Sequence, residues 1–215
     1  ICMLDVIDLL NKSDNVDGIL VQMPLPEYID SKKSVVKYPT QECDLFLKDC
    51  VMCGGQSFHT SSLVVKKSIF IERPQFVFQV DKVGDYPNSI YYALSTDIHY
   101  MGDVMSVYRV GTEGSWTRSI QNNQARNINT FIQIIAMLEK ADEYSQFQFH
   151  SLFSKAIEKH NYSLSVAKED YSKAISFKNY FKQEPKKNQI KMMFYAYTPF
   201  LVKLKNYIKR KRGKN

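Results

Sequence analysis

The pattern of apolar and polar positions changes character near residue 122, with short mixed runs before it and helical spacing after it. Near the start, Met3, Leu4, Ile7 and Leu10 share one helical face, which predicts a short amphipathic helix over 3–11. Gly18–Gln22 is an apolar run closed by Pro24 and Pro26, as a buried strand would be. A polar, loop-like stretch follows over 31–41, then a mixed stretch over 44–72 that includes a strand candidate at Ser61–Val65. Phe76–Val80 is a further strand candidate. Asp81–Asp85 and Pro87 mark a loop leading into a helix at about 86–95. His99–Tyr108 alternates weakly, as a strand would. Beyond it, Ile128, Phe131, Ile132, Ile135 and Leu138 recur at helix spacing. Further helices are expected over 146–160 and 162–182, with Pro185 breaking the chain before a last segment, 189–210.

Composition narrows the class. The 215 residues are 44% hydrophobic and 13% aromatic, which suits a packed domain with or without an arm and not a disordered chain. Formal charge is +7, unevenly spread. Residues 1–36 hold six acids against Lys12, Lys32 and Lys33, whereas the last fifteen residues hold seven bases and no acid. The asymmetry points to two origins and a basic tail. The first residues show no basic stretch followed by an apolar one, so no secretory leader is expected. No apolar run approaches the roughly 20 residues that span a bilayer. The expected location is cytoplasmic, at the inner face of the membrane if the tail binds there. Cys2, Cys43, Cys50 and Cys53 are accordingly expected as reduced thiols.

The segment LDVIDLLNKSDNVDGILVQMPLPEYID keeps Asn11, Asp14, Val16, Gly18, Gln22, Pro24, Pro26 and Asp30 in order. It closely resembles a helix–strand unit of methylenetetrahydrofolate dehydrogenase/cyclohydrolase, and IDSKKSVV extends the resemblance to Val36. In that family the strand lines a folate pocket, so the resemblance implies that Gln22 is a substrate contact. The family's Tyr-x-x-x-Lys helix upstream of this segment and its Asp-Val-Asp-Gly-Phe segment downstream are not found around it, and no Gly-x-Gly-x-x-Gly loop occurs in the sequence. The segment therefore also reads as a non-catalytic arm left by a fusion.

From about Tyr38 the text changes. YPTQECDLFLKDCVMCGGQSFHTSSLVVKKSIF, then GDYP, then YRVGTEGSW, resemble the acceptor-side portion of family 2 glycosyltransferases over about residues 38–210. The resemblance implies an α/β fold: part of a GT-A-type nucleotide-diphospho-sugar transferase fold with a helical C-terminal extension, preceded by the short helix–strand arm. It implies transfer of a sugar from a nucleotide-sugar donor to a saccharide or lipid-linked hydroxyl acceptor, as in polysaccharide biosynthesis. Asp85 would be the catalytic base, since a carboxylate at a helix N-terminus can take the acceptor's proton. It reads equally as a helix N-cap. His59, Thr60, Ser61 and Ser62 would line the acceptor site, or form a half-buried strand start. Trp116 would stack on a sugar ring or pack in a core. Arg109 would face the diphosphate or make an ion pair. A divalent metal, manganese or magnesium, belongs to the intact family. Its Asp-x-Asp is missing here, the nearest pattern being Glu42-Cys43-Asp44, and Gly111 stands where many relatives carry a His.

Two constellations remain. Cys43, Cys50, Cys53 and His59 include one zinc-compatible pair spacing, weighed against ordinary reduced thiols, and no metal site is assigned. The tail LVKLKNYIKRKRGKN follows MMFYAYTPF and reads as a solvated helix end, then as a surface for an anionic membrane, and last as a nucleic-acid contact, which is not expected. The resulting organisation is a folate-enzyme-like arm at 1–36, an acceptor-side region at 37–121 and a helical extension with a basic tail at 122–215. Three functions follow: a glycosyltransferase lacking its nucleotide-binding half, a non-catalytic remnant or interaction protein, or a fragment of the folate enzyme.

Overall fold

A computed structural model describes residues 41–54, 58, 63–80, 84–101 and 123–201. Its centre is the helix α4, Gln124–Tyr144, which starts where Asn123 accepts a hydrogen bond from the Arg126 backbone N–H at 3.0 Å. The helix is where its spacing predicts, but the buried stripe is Ile134, Met137, Leu138, Ala141 and Asp142. Ile132, placed on the core side by its spacing, is 45% exposed. Two apolar stripes compete along this helix, and the one that meets a neighbour wins.

That neighbour is α5, His150–Ala167, which returns along α4 and inserts Phe153 and Ala156 into the same core. Both helices end in a left-handed residue that is not glycine. At the end of α4, Gln146 has φ 54, with Gln146 N–H donating to Glu143 C=O and Phe147 N–H to Asp142 C=O. At the end of α5, Glu169 has φ 57, with the same pair of bonds to Val166 and Ser165. This double closure satisfies carbonyls that the helix end leaves open. It also divides the expected 162–182 helix: α5 runs through to Ala167, and the chain restarts as α6, Tyr171–Ser176, and α7, Lys178–Phe181. After Pro185 comes α8, Lys186–Tyr197.

On the other side of the core lie α1, Leu47–Cys53, α2, Lys67–Ile71, and α3, Asp85–Ser95. The last matches the helix expected at 86–95 and buries Tyr86, Pro87, Ser89, Ile90, Tyr91 and Tyr92. Phe76–Val80 is not a strand. Gln75–Phe78 is a 3-10 turn that starts after Pro74, burying Phe76, Val77 and Val80 while Phe78 stays 63% exposed. The guanidinium of Arg73 lies over the rings of Phe70, at 3.8 Å, and Phe78, at 5.2 Å, holding both outward-facing aromatics. Leu63–Val65 shows the alternation expected of a strand, with Val64 outward and its neighbours half-buried, but it has no ladder partner among the described residues. The only strands among the described residues are β1, Cys43–Leu45, and β2, Ile98–Tyr100. They pair antiparallel with Asp44 opposite His99. The second of them is the start of the expected 99–108 strand; residues 102–108 lie outside the described residues, as do the helix expected at 3–11 and the strand at 18–22.

The core divides in two. The larger cluster joins α1, the 3-10 turn, α3, α4 and α5; the smaller joins Tyr162, Tyr171, Ala174 and Met192 from α5, α6 and α8. No helix among the described residues is long and apolar enough to cross a membrane. Among the described residues the regular elements are helices apart from the two short strands, and the GT-A-type assignment stays an expectation.

Candidate functional site

The densest meeting of polar chemistry inside the main core is at the end of α1. Helix C-termini leave carbonyls open, and here two side chains from other helices close them. Tyr86 of α3 donates its hydroxyl to Val51 C=O at 2.5 Å, and Lys159 of α5 donates its ammonium to Met52 C=O at 3.0 Å. Burial pushes the Tyr86 hydroxyl's pKa up, with Cys53 and Cys50 adding to the effect, so it stays a donor. His160 packs beside them, its ring 5.9 Å from Tyr86 and 6.2 Å from Phe131. Its Nδ1 is buried with no hydrogen-bond partner among the described residues, and burial, reinforced by Lys159, lowers its pKa to about 4. His160 is therefore neutral near pH 7, a ring fitted between aromatics. Cys50 is buried and Cys53 exposed, and neither is in a disulfide. Among the described residues no group of three His, Cys, Asp or Glu side chains is placed to hold a metal ion.

Asp85 is the first residue of α3, exposed, with Gly84 as the cap. It is thus not the N-cap; it sits in the first turn, where a carboxylate complements the helix dipole. His59, Thr60, Ser61, Ser62, Arg109 and Trp116 lie outside the described residues.

Three features went unread in the sequence. Asp142, buried on α4, accepts from His150 Nδ1 at 2.6 Å, and His150 Nε2 lies 3.3 Å from Ser154 Oγ. The order Asp–His–Ser is that of a nucleophile relay. Its setting is a corner: the His150 side chain is 66% exposed, and the N–H groups of Gln146, Phe147, Gln148 and His150 are each given to a backbone carbonyl. Those four donors are occupied within the turn, and the trio works as a clamp on it. Second, His99 donates from one ring nitrogen to Asp44 at 2.9 Å and from the other to Glu42 at 2.7 Å, as a protonated imidazole can. Those hydrogen bonds, Asp44's first, raise its pKa above the ordinary value. Glu42 and Asp44, the nearest thing to an Asp-x-Asp, thus fasten β1 to β2. Third, Lys168, Glu169, Asp170, Tyr171, Ser172, Tyr195 and Pro199 line an open cleft of about 270 Å³, with Tyr171 and Tyr195 stacked at 5.5 Å.

Comparison with known proteins gives relatives of one kind. The chain is 57% identical over 30 residues to the bifunctional protein FolD of Halothermothrix orenii, covering 14% of this chain and 11% of that protein. It is 61% identical over 31 residues to the mitochondrial bifunctional methylenetetrahydrofolate dehydrogenase/cyclohydrolase of Gallus gallus, covering 14% and 9%. With FolD of Macrococcus caseolyticus it shares 51% over 45 residues, covering 20% and 16%. The chain thus spans between about a tenth and a sixth of the length of the curated relatives it matches. No family model matches the sequence. No solved structure matches it.

These findings correct the functional expectation. The relatives named above are folate enzymes, and neither a family model nor a solved structure supports family 2 glycosyltransferases. The sugar-transfer reading, with polysaccharide biosynthesis and the roles it lent to Asp85, His59, Thr60, Ser61, Ser62, Arg109 and Trp116, is not carried forward. The motifs behind it were short, and an acidic residue opening a helix is explained by the helix itself. The resemblance of residues 1–36 names the same family as the relatives.

Proposed function

We propose that this chain carries a folate-facing segment of the methylenetetrahydrofolate dehydrogenase/cyclohydrolase kind, acting as a folate-binding element. The observation that carries the reading is the identity of 57% over 30 residues and 61% over 31 residues to two such proteins. In the resembling segment Gln22 stands between the apolar run Gly18–Val21 and the two prolines Pro24 and Pro26. A side-chain amide offers both a donor and an acceptor, which suits the edge of a pterin ring. A cytoplasmic location fits this reading.

Calorimetric titration of the full chain with tetrahydrofolate tests it. Saturable one-to-one heat is expected, weakened at least about tenfold in Gln22→Ala, as loss of hydrogen bonds worth about 1.5 kcal/mol would give. No heat at millimolar ligand, or heat unchanged in Gln22→Ala, contradicts it.

A second reading, a non-catalytic interaction protein, is favoured by one observation: the helical body fills its own core yet leaves the outer stripe of α8 uncovered.

A further inference from the structure

The last described helix has two apolar faces, and only one is used. Met192 is buried, and Tyr195 and Ala196 pack beside it against Tyr162 and Tyr171. On the opposite side, Ile190 is 69% exposed, Met193 44%, Phe194 53% and Tyr197 78%. Their spacing of i, i+3, i+4 and i+7 makes one continuous stripe. Phe200, 64% exposed, follows at i+10, where the chain is helical again. Single exposed apolar residues need no explanation, but a contiguous aromatic stripe marks a contact surface.

Charge says what kind of contact. Lys186, Lys187 and Lys191 are exposed on the same helix, and by the helical period Lys186 and Lys187 flank the stripe at its N-terminal end. Beyond Leu201 the sequence adds Lys203, Lys205, Lys209, Arg210, Lys211, Arg212 and Lys214 without an acid. No acidic residue lies between Pro185 and Asn215. An apolar stripe fringed by lysines and continued by a polybasic stretch matches a bilayer with anionic headgroups: acyl chains take the stripe, and lipid phosphates take the cations. A protein partner would ask for acids to pair with, and a nucleic acid would leave the stripe bare.

We propose that α8 forms a peripheral docking surface for an anionic lipid bilayer, with Ile190, Phe194 and Tyr197 entering the interface. The inference is independent of the folate reading.

Vesicle co-sedimentation of the full chain tests it. Binding is expected to vesicles of phosphatidylglycerol and phosphatidylcholine, and not to phosphatidylcholine alone, with loss at high salt. The double variant Ile190→Glu/Phe194→Glu should bind about tenfold more weakly or worse, while Ile132→Glu, on an exposed position of α4, binds as the parent does. Both altered residues point away from the core, so the melting curve should hold. If it does not, Tyr197→Trp keeps the stripe apolar, and its indole emission should shift to the blue on anionic vesicles by more than the parent's does. Undiminished binding by the double variant, or no added blue shift in Tyr197→Trp, overturns the proposal. So does a dimer in sedimentation that the double variant dissolves, or binding to polyuridylate RNA in preference to the anionic vesicles.

Discussion

Helices α4 and α8 are both amphipathic, yet they use their apolar residues in opposite ways. Along α4, Met137, Leu138 and Ala141 are fully enclosed by α5, α3 and the 3-10 turn. Along α8 the one buried residue is Met192, and most of the large apolar side chains face outward. Packing against several elements fixes a helix in place, because each buried side chain is touched from all sides. A helix packed on one side only keeps the other for a partner. The difference separates what holds this fold from what is offered outside it.

The largest break in that comparison should come from the core. Phe153, fully buried on α5, when changed to Ala is expected to cost about 3–5 kcal/mol by urea unfolding. Phe194→Ala on the outer stripe of α8 should stay within about 0.5 kcal/mol. Equal losses would mean that the two helices are not different in kind.

Next in size is a pH effect from the same core. His160 titrates at about 4 when folded, against 6.5 unfolded, because burial disfavours its charge. Between those values the unfolded chain binds more protons, so stability is full above pH 6.5 and falls as pH drops towards 4. The loss is about 3 kcal/mol at most. Unfolding midpoints measured from pH 7.5 to 4 should show this decline, and His160→Phe should flatten it. His99 opposes it: its pKa is raised, so its contribution is present below the unfolded value and fades as pH rises through the folded one. It lies at the surface, where salt weakens it.

The smallest effect is backbone strain. Gln146 holds φ 54 beyond the end of α4, a conformation that costs an L side chain and not glycine. Gln146→Gly is expected to raise stability by up to about 1 kcal/mol. A loss there would mean that the turn is held by the side chain and not by its two backbone bonds.

The same turn explains part of what the sequence hid. Helix ends are read from Gly and Pro, and Pro185 did signal the break before α8. Gln146 and Glu169 end their helices without either residue, so the boundaries expected at 146 and 162 drifted from His150 and Tyr171. Helix existence was legible wherever apolar spacing was sustained, as in Asp85–Ser95 and Gln124–Tyr144. The choice of buried face was not, since Ile132 and Ile134 are equally apolar and only α5 decides between them. Phe76, Phe78 and Val80 alternate as a strand would, but no strand neighbours them among the described residues, and the chain curls into a 3-10 turn after Pro74. For the site, the Asp142–His150–Ser154 clamp joins residues whose meeting depends on the α4–α5 turn, so no local motif announces it. The folate resemblance was legible because its residues are contiguous.

If the folate-related segment binds on its own terms while the helical body supplies a scaffold, ligand should protect the segment and leave the body as it was. Hydrogen–deuterium exchange on the full chain, with and without saturating tetrahydrofolate, separates the two. Slower exchange is predicted in peptides spanning Gly18–Tyr28, with α4 and α5 unchanged. Unchanged exchange in Gly18–Tyr28, or protection confined to the body, would contradict it.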